Sequence, residues 1–166
     1  MGSGKTTVGR LVADRLEVPF VDSDAQLDDV MDLTARQITR RRGVDALHRL
    51  EADALRDALG RTEPAVIAAA ASTGDLASIE NLLGGDEFVV LLEGDVEVLA
   101  ERAASGSHRR SVPVDEAREL AAIRGPRLKK VADLVVDVTS IEPPAVADRI
   151  MDAMSRPAGS EPIGPR

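Results

Sequence analysis

The sequence predicts an α/β domain in which helices flank a mostly parallel sheet, and three observations carry that reading. Short apolar runs alternate with amphipathic helical patterns along almost the whole chain, as repeated strand–helix units do. A glycine-rich segment at the amino end, Gly2-Ser3-Gly4, opens straight into a helical pattern. Of the 166 residues, 43% are hydrophobic and 30% charged, a balance that fits one globular domain and neither a disordered nor a membrane-embedded chain.

The first helix is expected to open at Gly4–Lys5 and to run through Val8, Leu11, Val12 and Leu16. A strand follows at Pro19–Asp22. Helical patterns cover Ala25 to Met31 and Thr34 to Arg41, the second with Thr34 and Gln37 spaced as a capping box. Gly43 ends that segment, and a longer helix runs from about Asp45 to Leu59. Ala65–Ala69 reads as a buried strand, Leu76–Leu83 as a helix and Glu87–Leu92 as a second buried strand. Val96 to Ala104 is helical. The interval Ser105–Val114 carries His108, Arg109, Arg110 and Pro113 with little apolar content, so it is expected as a surface loop. A helix over about Glu116–Ile123, a strand at Asp133–Val138 and a helix at Ala145–Met154 complete a domain spanning 1–155. From Pro157 onward Pro, Gly and Ser dominate with no apolar period, and 156–166 is expected as a flexible tail.

Composition excludes several functions. There is no cysteine, which removes disulfides, thiolate zinc sites and a cysteine nucleophile, and is compatible with a cytoplasmic protein. Two Phe, no Tyr and no Trp leave no platform for stacking single-stranded bases. Lys plus Arg total 21 against 29 Asp plus Glu, a net charge of -8. Such a field repels nucleic acid and acidic membranes, and neither is an expected partner. No apolar run nears the ~18 residues of a membrane span, and no signal-peptide pattern opens the chain. Any bound anion must therefore be captured by a local site.

That local site is Met1-Gly2-Ser3-Gly4-Lys5-Thr6-Thr7, the end of the G-x-x-x-x-G-K-[ST] phosphate-binding pattern. Glycines let backbone N–H groups converge on phosphate oxygens, and the helix that follows adds its N-terminal partial charge. Lys5 can reach the β- and γ-phosphates, and the Thr6 hydroxyl suits Mg2+ held against them. Gly2, Ser3, Gly4, Lys5, Thr6 and Thr7 are thus the expected ATP-binding residues, in a three-layer P-loop fold. The pattern's first glycine and the strand that feeds it would precede Met1. Without that central strand about five buried side chains are lost, a deficit on the order of 10 kcal/mol against a usual stability of about 5–15 kcal/mol. The natural chain is therefore expected to start upstream.

Val18-Pro19-Phe20-Val21-Asp22-Ser23-Asp24 places Asp22 and Asp24 on one side, at the carboxyl end of a strand. With Gly4-Lys5-Thr6, Gly43 leading into Arg49-Leu50-Glu51, the basic Arg109-Arg110 and Arg124-Gly-Pro-Arg-Leu, this order of features resembles the shikimate kinase family from about Gly2 to Met154. The resemblance implies a monomeric ATP- and Mg2+-dependent kinase of aromatic amino acid biosynthesis that phosphorylates the 3-hydroxyl of shikimate. It implies catalytic roles for Lys5, Asp24 and Arg110. Thr6 would hold Mg2+ directly and Asp22 through water. Asp24 would hold the substrate hydroxyls and accept the attacking hydroxyl's proton. Arg124 would pair with the substrate carboxylate. Arg109 or Arg110 would swing in against ATP and the transferring phosphoryl group.

Two departures touch the acceptor side. His48 stands where the family carries a second carboxylate-binding arginine, and imidazole offers no bidentate fork. Loss of that clamp would cost about 1.5–3 kcal/mol of binding; otherwise His48 simply lies on a helix surface. Ala70, Ala71 and Ser72 stand in place of a glycine triplet beside the substrate. If any of them needs a positive φ, alanine costs roughly 1–2 kcal/mol there; otherwise the run fills a tight strand end. The small-molecule acceptor is then shikimate or a related hydroxy acid such as gluconate, and a nucleotide-binding paralogue without transfer is the remaining alternative.

Overall fold

The computed structural model describes residues 2–23, 35–75, 79–105 and 113–156. The helices expected over Ala25–Met31, the start of the next at Thr34, and the tail from Pro157 lie outside the described residues, as do Asp24, Arg109 and Arg110. In chain order the elements are α1 (Lys5–Leu16), β1 (Phe20–Asp22), α2 (Ala35–Arg42), α3 (Val44–Leu59), β2 (Val66–Ala68), a 3-10 turn (Ala71–Asp75), α4 (Ile79–Leu82), β3 (Val90–Glu93), α5 (Val96–Ser105), α6 (Val114–Val131), β4 (Leu134–Asp137) and α7 (Pro143–Met154). Among the described residues no helix is long and apolar enough to cross a membrane.

β1 pairs with β2 in parallel, Asp22 opposite Ala68, and β3 pairs with β4 in parallel, Glu93 opposite Asp137. The two pairs form separate sheets, with no ladder from β2 to β3 among the described residues. What joins them is α1. Its apolar face buries Val8, Val12 and Ala13, and it packs on both β2 and α7. The core gathers Val8 and Val12 of α1 with Val136 of β4, Val138, and Val146, Ala147 and Ile150 of α7. Arg15 closes the outer edge of this contact with a 2.8 Å ion pair to Asp148.

Several boundaries move from expectation. α6 does not stop at Ile123 but runs through Gly125 and Pro126 to Val131. Of the helix expected at Leu76–Leu83, residues 76–78 lie outside the described residues and Ile79–Leu82 is helical, with a 3-10 turn at Ala71–Asp75 before it. β3 begins at Val90 rather than Glu87, because the Glu87 carboxylate turns back to accept from the N–H groups of Gly84 and Gly85. α7 starts two residues early, with Pro143 and Pro144 in the first turn, where their missing N–H groups cost nothing.

Candidate active site

The glycine loop sits at the carboxyl ends of the strands, where parallel α/β folds bind ligands. Gly2 has φ 76° and Gly4 φ 82°, both in the left-handed region that a side chain disfavours. At Gly2 space is a second constraint, since a Cβ would lie 2.0 Å from the Leu99 carbonyl oxygen of α5. Gly4 caps α1 and its carbonyl accepts from the Val8 N–H at 2.9 Å. Lys5 is the first residue of α1 and half-buried.

Behind the loop, Thr6 Oγ1 donates to Asp22 Oδ2 at 2.8 Å. β1 delivers Asp22 there because Phe20 packs on Gly9 of α1, with Arg10 over its ring at 5.7 Å. Ser23, 1% exposed, donates to the Ala68 carbonyl at 3.1 Å and ties the ends of β1 and β2 together. The hydroxyl and carboxylate are hard oxygen donors of the kind Mg2+ takes. Among the described residues no group of three His, Cys, Asp or Glu side chains could hold a metal, so an ion here would complete its shell with phosphate oxygens and water.

On the other side of the loop a cavity of about 270 Å³ opens between Gly2, Ser3 and Gly4, Arg102 of α5, and Ile141 and Pro143 before and at the start of α7. Arg102 donates through Nη1 to the Val138 carbonyl and through Nη2 to the Thr139 carbonyl, both at 2.9 Å. Sequence reasoning passed over Arg102, since one arginine on an amphipathic helix carries no distinguishing spacing.

The third region lies beyond β2. Ala70, Ala71 and Ser72 lead into the 3-10 turn, and none of them has a positive φ, so the alanines carry no backbone strain. Ser72 donates to the Glu51 carboxylate of α3, and Thr73 Oγ1 to the Ala70 carbonyl at 2.7 Å. The turn presents Asp75 to α6. Arg124 donates to it through Nε at 2.7 Å and Nη2 at 2.5 Å, and Arg127 reaches the Asp75 carbonyl at 3.3 Å. His48 Nδ1 of α3 lies 3.7 Å from Asp75 Oδ2. His48 therefore faces this cluster rather than standing on an open helix surface. The Arg124 hydrogen bonds hold the Asp75 carboxyl below its usual range; the charges of Arg124, His48 and Arg127 act the same way, and burial opposes them.

A glycine loop feeding a helix, with a threonine–aspartate pair behind it and parallel strands alongside, is the arrangement of P-loop nucleotide-binding folds. The family model for shikimate kinase matches residues 1–155. The shikimate kinase of Shewanella oneidensis is 29% identical over 158 residues, 93% of this chain and 92% of that one. That of a Marinomonas species is 29% identical over 161 residues, 94% of this chain and 88% of the relative. Among solved structures, Acinetobacter baumannii shikimate kinase in complex with shikimate superposes with a TM-score of 0.83 at 26% identity, covering 93% of this chain and 88% of its own. The Aquifex aeolicus shikimate kinase gives 0.79 at 28%, covering 93% and 91%. The chain belongs to the shikimate kinase family, enzymes that transfer phosphate from ATP to an alcohol group.

Proposed function

We propose that this chain transfers the γ-phosphoryl group of ATP to the 3-hydroxyl of shikimate, which would put it in aromatic amino acid biosynthesis. The observation that carries the reading is Arg124. Its side chain is only 15% exposed, yet its guanidinium engages a carboxylate through two nitrogens, the geometry an acidic acceptor needs. The Acinetobacter relative was solved with shikimate, which supports the same acceptor here.

In this reading the backbone N–H groups of Gly2 to Thr7 cradle the phosphates, and Lys5 neutralises charge on the β- and γ-oxygens. The cavity between the loop, Arg102 and Pro143 receives the nucleoside. Thr6 would ligate Mg2+ and Asp22 would orient it through water; the ion would offset the charge on the β- and γ-oxygens. The acceptor hydroxyl oxygen attacks the γ-phosphorus as the bond to the bridging oxygen breaks, and the hydroxyl proton passes to Asp24. Arg109 or Arg110 offsets the charge of the transferring group. Ala70, Ala71 and Ser72 line the acceptor's approach, with His48 and Arg124 toward its carboxylate.

The test is coupled ADP release with Mg–ATP and shikimate. Shikimate-dependent release is expected, and Lys5→Ala should lower kcat/KM by at least about a hundredfold with the circular dichroism spectrum kept. A folded chain that binds ATP yet releases no ADP with shikimate overturns the acceptor assignment. Release with another polyhydroxy acid, such as gluconate, would reassign it.

A further inference from the structure

Arg124 is the best-formed carboxylate receptor among the described residues, and a carboxylate of this same chain already fills it. Asp75 takes the Nε–Nη2 edge of the guanidinium in two hydrogen bonds, at 2.7 and 2.5 Å. A planar guanidinium offers two such edges, and the second shares Nη2 with the first. An acceptor carboxylate on the remaining edge would thus sit beside the Asp75 carboxylate, with like charges crowded on one cation.

Three further features hold the internal pair in place. Gly74 has no side chain, and a Cβ there would meet Arg124 Cβ at 2.9 Å and Leu128 Cδ1 at 3.2 Å. α6 is therefore seated directly on the turn that carries Asp75. Arg127 donates to the Asp75 backbone carbonyl at 3.3 Å, which holds the turn from the same helix. His48 approaches Asp75 Oδ2 from α3 at 3.7 Å. Asp75 is thus faced by basic groups from two helices while its side chain stays 28% exposed, open to exchange.

We propose that Asp75 is a specificity-determining residue that occupies the Arg124 fork in place of an acceptor's carboxylate, so that an acidic acceptor binds only by displacing it. The proposal rests on the shikimate reading above, in which Arg124 faces the acceptor's carboxylate. Asp75 acts as a tethered competitor: it leaves the phosphoryl-transfer end untouched and raises the concentration of acidic acceptor needed to fill the site.

The experiment compares the unaltered chain with Asp75→Asn and Asp75→Ser in coupled ADP release, with Mg–ATP saturating and shikimate varied. Retained ADP affinity by calorimetry certifies that each variant is folded. The expected result is a fall in shikimate KM on the order of tenfold in both variants, with kcat and the KM for ATP within about twofold. The preference for shikimate over its neutral methyl ester should widen by the same factor, which a merely structural role would not produce. An unchanged or raised shikimate KM in folded variants, with turnover intact, overturns the role of Asp75 and leaves the proposed function standing. If neither the unaltered chain nor the variants turn over shikimate while all bind ADP, the acceptor assignment falls instead. Calorimetry with shikimate on the ADP-bound proteins then decides: tighter binding by the variants supports displacement, and equal, weaker or absent binding in all three overturns it.

Discussion

Asp75 accepts two hydrogen bonds from Arg124, and that side-chain contact is the main reason its carboxyl titrates below the ordinary range. A carboxyl depressed in the folded state contributes stability above its unfolded pKa of about 3.9 and loses it as pH falls through the folded value. Asp75→Asn should therefore be less stable than the unaltered chain by about 1–3 kcal/mol near neutral pH, with the difference closing below about pH 4. Urea denaturation at pH 7, 5 and 3 checks this; a difference that persists undiminished at pH 3 would show that the charge is not its source. Thr6 is marked out by the glycine–lysine–threonine spacing and Asp22 by its place at the carboxyl end of a strand, and the 2.8 Å Thr6–Asp22 contact brings the two together. Asp75 was not readable. Its partners Arg124 and His48 lie 49 and 27 positions away in sequence, and only the packing of α3 and α6 against one turn assembles them.

α6 shows where local punctuation misleads. Gly125-Pro126 argues for a helix end, yet the helix continues from Val114 to Val131. Pro126 deprives the Ala122 carbonyl of its helical N–H partner, and no residue of α6 is fully buried. Long-range polar contacts offset that: Arg124 and Arg127 to Asp75, Arg118 to Glu97 at 2.9 Å, and Lys129 to Glu93 at 2.8 Å. Tertiary contacts override the propensity of the segment, as they often do. Pro126→Ala should restore one helical bond and raise stability by about 1–2 kcal/mol after the greater freedom of the unfolded chain is counted. A higher Tm by calorimetry is the expected outcome, and a lower one would mean that the proline's geometry itself seats Arg124. Strand identities were legible from apolar runs and so were the ends of β1, β2 and β4, to within a residue, but not the start of β3, which the Glu87 and Asp133 side chains set.

Across the whole molecule, the two strand pairs share no ladder among the described residues, and α1 packs on β2 of one pair and against α7, which lies over β4 of the other. One apolar cluster therefore serves both halves. Ile150→Ala removes a 5% exposed side chain from it and should cost about 2–5 kcal/mol, read as a lower urea midpoint. A single transition is expected in fluorescence-independent probes such as far-ultraviolet dichroism; two resolved transitions would mean the halves melt independently. The alternation of apolar runs and helical faces was enough to order the elements along the chain. Gly2, finally, lies so close to α5 that the three atoms a Cβ there would meet first are main-chain atoms of Leu99 and Ala103. Main chain cannot swing aside as the end of a flexible side chain can, so a substitution at Gly2 would have to push the phosphate loop off α5 instead of repacking a neighbour.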